Sequence, residues 1–239
     1  MDKVDHQKYF EDNRYVVVRN YLDPTLCGLL NDYLDKKALS LEMQYTVAPE
    51  SLDPEYNGLP PGGDKQVPSS YAWYGDPMMD TLLEQSTSQV GELINKQLYP
   101  TYSYSRLYIK GAELVKHKDR NSCQYSTTIC LGGDPWPIFF TDKNNVEVRV
   151  DLSPGDMIIY AGCELEHWRE PFTGDQCAQV FLHYGDKDNP IANLFDGRVW
   201  AGVPHSINKS DLEEQVSDLQ ERSKSLQKII DSMESNKHG

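Results

Sequence analysis

Two residues apart on an extended chain, His117 and Asp119 project to the same face, so an imidazole and a carboxylate stand side by side. A second imidazole, His167, arrives on a later strand-like run of the same region. Two histidines and one carboxylate on one face of an octahedral ion are the donor set of a non-haem iron(II) centre. Its remaining positions stay open for a chelating co-substrate and dioxygen. A His-x-Asp pair alone recurs by chance; the later His167, several strand-and-turn units on, gives the pattern its weight. The other histidines keep no such company. His6 and His238 lie near the chain ends, His205 sits in a Gly/Pro-containing stretch, and His183 closes a strand with no evident partner.

The elements that must hold these three residues are short. Strand-like runs fall at 104–115, 124–131, 137–141, 146–152, 157–160, 165–170 and 177–184. Turn chemistry separates them at Gly132-Gly133-Asp134-Pro135, Asp142–Asn145, Ser153-Pro154-Gly155-Asp156 and Thr173-Gly174-Asp175. Many short strands at such spacing predict a sandwich or barrel. Helical patterns precede them: Asp23-Pro24 offers an N-cap with proline at the first helical position, followed by Leu26, Leu29, Leu30 and Leu34 at helical spacing. A second amphipathic stretch covers 79–98, and Tyr15-Val-Val-Val reads as an opening strand. Helices first and strands after give an α+β class with a mainly antiparallel sheet pair.

Residues 48–70 are rich in Pro, Gly and Asp and carry no periodicity, which predicts a long loop, either a lid or a disordered segment. The tail differs again. Leu212, Leu219, Leu226 and Met233 recur every seven residues, with Val216 and Ile230 on the alternate seam. This predicts an amphipathic C-terminal helix over 208–239, docked on its own domain or pairing two copies in a homodimer. Residues 1–207 then form one domain, with its strand core at about 104–186.

Composition sets outer limits. The 239 residues suffice for a buried core without disulfides, and the five cysteines (Cys27, Cys123, Cys130, Cys163, Cys177) show no CxxC spacing. They read as free thiols in a reducing, cytoplasmic setting. A net charge of -14 argues against nucleic acid and anionic membranes as partners, while leaving a basic protein substrate open. No secretory leader and no membrane-length apolar run is evident.

The segment from Tyr108 to Tyr184 resembles the double-stranded β-helix core (a cupin-like jelly roll) of the Fe(II)/2-oxoglutarate-dependent oxygenases, nearest to the prolyl 4-hydroxylase-like branch. Tyr108-x-x-Gly111 precedes His117-x-Asp119 as in that branch. Ser153 to Tyr160 looks like its turn into the strand before the distal histidine, and His167 to Leu182 like the distal histidine with its closing strand. The resemblance implies Fe(II) at His117, Asp119 and His167, with 2-oxoglutarate and dioxygen as co-substrates and ascorbate as a candidate reductant. It implies oxidoreductase (dioxygenase) chemistry, namely hydroxylation of an unactivated C–H bond, with a prolyl residue in a peptide as the first substrate reading. A free amino acid or other small molecule is the second. A third reading is a non-oxygenase metal cupin or ligand-binding pseudo-enzyme.

One departure keeps that third reading open. The family places Lys or Arg nine or ten residues after the distal histidine, to hold the far carboxylate of 2-oxoglutarate; here Gln176 and Cys177 stand there. Arg169, two residues after His167 and so about 6.5 Å along the same strand face, is the expected substitute, with Tyr108, Gln176 and Thr128 as further co-substrate contacts. An outward Arg169 paired with Glu166 or Glu170 is the alternative. Arg120, Tyr125 and Trp168 are expected at the substrate.

Overall fold

The computed structural model describes residues 3–52, 57–198, 201–202 and scattered positions between 216 and 227. Two antiparallel sheets carry the fold. The larger has six strands in the order β1 (Tyr15–Val18), β8 (Met157–Tyr160), β5 (Tyr125–Gly133), β10 (Gln176–Asp186), β3 (Leu98–Ile109), β2 (Ser70–Tyr74). The smaller has four: β4 (Leu114–His117), β9 (His167–Arg169), β6 (Ile138–Thr141), β7 (Glu147–Val150). The expected jelly-roll class holds.

Among the described residues, helices α1 (Lys3–Asn13), α2 (Pro24–Val47) and α3 (Pro77–Ile94) support the larger sheet, with α2 against β5 and β3 and α3 against β3 and β10. The Asp23 side chain accepts from the Thr25 N–H at 2.8 Å and Pro24 opens α2, so the predicted cap forms. Asp76 does the same for α3, accepting from Met78 N–H at 2.9 Å, and Asn95 ends that helix in the left-handed conformation (φ 54). Helix α2 runs well past the leucine pattern that announced it, and α1 and β2 were not foreseen in the sequence.

Side-chain parity explains where everything goes. On β10, Ala178, Val180, Leu182 and Tyr184 join the core under the helices, while Cys177 and Phe181 belong to a cluster with Tyr108, Leu114, Trp136 and Phe172 between the sheets. A second inter-sheet cluster gathers Tyr15, Ile138, Phe140, Val150, Ile158, Tyr160 and Leu165. The predicted strand 104–115 is really two, because Gly111 takes φ +86 and the chain turns there to pass from the larger sheet to the smaller. Asp156 locks the turn before β8: its carboxylate accepts from Asn20 N–H (3.0 Å), Ser153 N–H (2.9 Å) and Arg19 (2.7 Å).

Loop 48–69 is pinned rather than free where it is described. Leu59 bridges to Ala72, and Asp64 meets Arg106 of β3 at 2.7 Å. Most of the expected tail helix lies outside the described residues; Val216 and Leu219, which are described, are helical and exposed. All five cysteines are free. Among the described residues, no helix is long and apolar enough to cross a membrane.

Candidate active site

β4 and β9 are neighbours, with His117 and His167 as Cα partners, so strand register alone brings the two imidazoles together at 4.3 Å between ring centroids. Each ring is oriented the same way. Nδ1 of His117 donates to the Val115 carbonyl (2.8 Å) and Nδ1 of His167 to the Leu165 carbonyl (3.1 Å). That fixes the tautomer and turns both Nε2 lone pairs inward. Asp119 Oδ1 stands 3.6 Å from Nε2 of His117 and 3.5 Å from Nε2 of His167. The three ligand atoms lie within 4.8 Å of one another, the arrangement a divalent ion needs. Burial pushes the Asp119 carboxyl upward, but the His117 and His167 imidazoles beside it outweigh burial and hold the group well below the carboxylate range. The donor set is therefore anionic and acceptor-only where a cation would bind.

A cavity of about 250 Å³ opens over these groups. Its walls include Tyr74, Tyr102, Tyr104, Arg106, Arg120 and Phe181. Thr128 also faces it, as expected of an inward residue of β5, and so does Arg120, whose Nη2 donates to Asp196 at 2.7 Å. The Tyr74 and Tyr102 rings stack at 4.6 Å, with the Arg120 guanidinium 4.7 Å from the Tyr102 ring centre.

Arg169 faces inward and is 1% exposed, which excludes the surface salt bridge; Glu166 pairs with Lys116 instead. Its guanidinium lies 4.9 Å from the Trp136 ring centre and donates one N–H to the Trp136 carbonyl, while Nε and Nη2 have no hydrogen-bond partner. A buried cation with two open donors is costly unless an anion meets it. Tyr108 is wholly buried in the same neighbourhood, edge-on to Trp136 at 4.8 Å. The donor set fits iron, and the open guanidinium fork fits a carboxylate, the two ends that 2-oxoglutarate chemistry requires.

Three expected contacts go elsewhere, each for a reason of parity. Gln176 shares the helix-facing side of β10 and gives its amide to Asp35 of α2 at 2.6 Å. Tyr125 faces the helices and packs on Phe10 at 5.9 Å. Trp168, between two inward residues of β9, points out, stacked on Phe139 at 5.7 Å under Lys116. Conversely, sequence reading missed Arg106, Asp64, Gln66, Ser126 and His183. Arg106 alternates with Tyr104 and Tyr108 on β3, so its inward position was readable. Gln66, on the loop, donates to His117 Nε2 at 3.1 Å and accepts from Arg106 at 2.8 Å, and no local pattern announces it. His183 is buried beneath Tyr102 at 4.4 Å between ring centres, and burial pushes its pKa down to about 4.

No protein-family model matches the chain, and the comparison with curated proteins returned no match. Solved structures do match. A prolyl-4-hydroxylase from Pseudomonas putida aligns with TM-score 0.53 at 15% identity, covering 77% of this chain and 98% of that one. HygX from Streptomyces hygroscopicus, solved with nickel and 2-oxoglutarate bound, gives 0.56 at 14%, covering 83% and 95%. SnoK, a non-heme alpha ketoglutarate dependent carbocyclase from nogalamycin biosynthesis, gives 0.58 at 12%, covering 84% and 92%. This chain has the fold of the Fe(II)/2-oxoglutarate oxygenases. Identities this low speak to fold alone, and the matched proteins carry out different reactions.

Proposed function

We propose that this protein is an Fe(II)- and 2-oxoglutarate-dependent oxygenase that hydroxylates an unactivated C–H bond, with a prolyl residue of a peptide as its substrate. The carrying observation is Arg169, a buried guanidinium with two unpaired donors, on the same short strand as the metal-facing His167. His117, Asp119 and His167 would hold the iron, and Arg169 would hold the far carboxylate of the co-substrate through its open fork. Bound iron with 2-oxoglutarate supplies the oxidising power for C–H cleavage. The chain's own part is to orient. The Val115 and Leu165 carbonyls aim the two imidazoles, Arg169 sets the co-substrate's direction, and the 64–66 stretch covers the cavity from one side.

A peptide is favoured by the mouth. Tyr74 and Tyr104, half-buried in the cavity wall with the buried Tyr102 ring stacked on Tyr74, form an aromatic face, and Pro-containing extended segments dock on such surfaces at low entropic cost. The net charge of -14 would draw basic flanking residues. The test is succinate formation from 2-oxoglutarate with Fe(II), with mass spectrometry of proline-containing peptides and of free amino acids as substrates. A 16-Da gain on a peptidyl proline supports the whole reading. Gain only on a free amino acid keeps the oxygenase and moves the substrate. Absence of Fe(II)-dependent succinate from every mixture sinks the oxygenase and leaves a ligand-binding cupin.

A further inference from the structure

Asp119 has two oxygens, and they are treated differently. Oδ1 faces both Nε2 atoms, whereas Oδ2 accepts a hydrogen bond from the Ser126 hydroxyl at 2.8 Å. Ser126 lies on β5 and is the Cα partner of His183 on β10, whose Nδ1 is 2.9 Å from the same hydroxyl oxygen. A second acceptor, the Cys123 carbonyl, stands farther off at 3.4 Å. Tyr160, across on β8, also faces this hydroxyl.

Proton counting gives the chain of bonds its direction. A hydroxyl has one hydrogen, and an ionised carboxylate only accepts. The charged acceptor at 2.8 Å outcompetes the neutral carbonyl at 3.4 Å, so the Ser126 hydrogen goes to Asp119 Oδ2. The His183 contact must then run the other way, with Nδ1–H donating to Ser126 Oγ. Behind the carboxylate Gly162 closes the space: its carbonyl accepts from the Asp119 N–H at 2.9 Å, and a Cβ there would overlap Asp119 Oδ2 and lie 2.5 Å from the Cys123 oxygen.

We propose that His183 and Ser126 are positioning residues for the metal carboxylate: the relay from His183 Nδ1–H through the Ser126 hydroxyl holds Oδ2 away and leaves Oδ1 as the single oxygen offered to the metal. A carboxylate held by one oxygen occupies one coordination position, which keeps room for a two-point chelating co-substrate and dioxygen. This rests on the metal-centre reading above, and it assigns roles to two residues outside the ligand triad.

The experiment is a Mn(II) titration of the full-length protein followed by electron paramagnetic resonance, comparing wild type with Ser126→Ala, His183→Phe, His183→Asn and Asp119→Ala. The expected result is a weakening of Mn(II) binding by about 10- to 100-fold in Ser126→Ala and His183→Phe, the range for lost outer-shell partners. A changed Mn(II) zero-field splitting should accompany it. His183→Asn, whose side-chain N–H takes roughly the place of Nδ1–H, should recover binding to within about threefold of wild type. Mn(II) affinity and line shape unchanged in Ser126→Ala and His183→Phe, while Asp119→Ala abolishes binding, would overturn the relay and leave the metal centre standing. Asp119→Ala binding as wild type does would overturn both. Should the variants fail to fold, ¹⁵N histidine spectra of the wild-type protein decide: His183 protonated on Nδ1 supports the relay, and protonation on Nε2 alone refutes it.

Discussion

Replacing Arg169 with methionine should push fold stability and co-substrate affinity in opposite directions. The guanidinium is 1% exposed, sits over Trp136, and satisfies only one of its nitrogens through the Trp136 carbonyl. An uncompensated buried charge is a burden on the free protein, and apolar replacement of buried ionic groups is often neutral or stabilising by about 1–4 kcal/mol. For a chain of this size that is roughly 2–16 °C in Tm. Losing one partner of a buried, hydrogen-bonded charge pair costs about 2–5 kcal/mol of binding, or about a 30- to 5,000-fold rise in Kd. Calorimetric titration of 2-oxoglutarate into Mn(II)-loaded protein reads the second effect, and thermal unfolding of the metal-free protein the first. Arg169→Lys keeps the charge without the planar fork and should fall between. A methionine variant that binds 2-oxoglutarate within about threefold of wild type would refute the reasoning. So would one that loses more than about 2 kcal/mol of stability, since the guanidinium would then have a structural partner of its own.

Other residues make separate predictions. Gly162→Ala inserts a methyl against the Asp119 carboxylate and 2.8 Å from Ser126 Oγ, so metal affinity should drop at least tenfold for a stability cost of about 1–3 kcal/mol; metal titration and denaturant melts read the two. Asp64→Ala strands Arg106, whose side chain is 7% exposed, and should cost about 3–5 kcal/mol while freeing residues 59–69; hydrogen exchange there should quicken, and unchanged protection refutes the pin. The Asp156 carboxyl is pushed up by burial but pulled further down, below its ordinary 3.8, by Asn20, Ser153 and Arg19. Its contribution is therefore present above about pH 4 and lost as pH falls through its depressed folded value. Asp156→Asn should cost about 1–3 kcal/mol at pH 7, with the gap to wild type closing in acid; urea melts at neutral and at acid pH check this.

Much of the site could be read in the sequence because it depends on short-range geometry. His117 and Asp119 share a strand face by spacing alone, and the alternation that put His167 inward put Arg169 inward with it. The same rule would have turned Gln176, Tyr125 and Trp168 away from the cavity, had strand register been known; each sits one position off the inward set. Asp64 and Gln66 were unreadable for a different reason. They reach Arg106 and His117 from an aperiodic loop, and such contacts follow from tertiary packing rather than from any local pattern. Helix α1 carries little apolar periodicity and is held by contacts with α3 and β1, so its sequence gave no sign of it.

The alternation along β10 has a consequence for how this protein can change. Even-numbered positions from 178 to 184 answer to the helices, and odd-numbered ones from 177 to 183 to the space between the sheets. Substitutions on one set leave the other's constraints untouched, so cavity chemistry can drift while the scaffold stays fixed. An insertion has no such freedom. One added residue before Gln179 would exchange the two audiences, presenting Val180 and Leu182 to the metal side and Phe181 and His183 to the helices. Tolerance of point changes beside intolerance of length changes should mark this strand in any mutational survey.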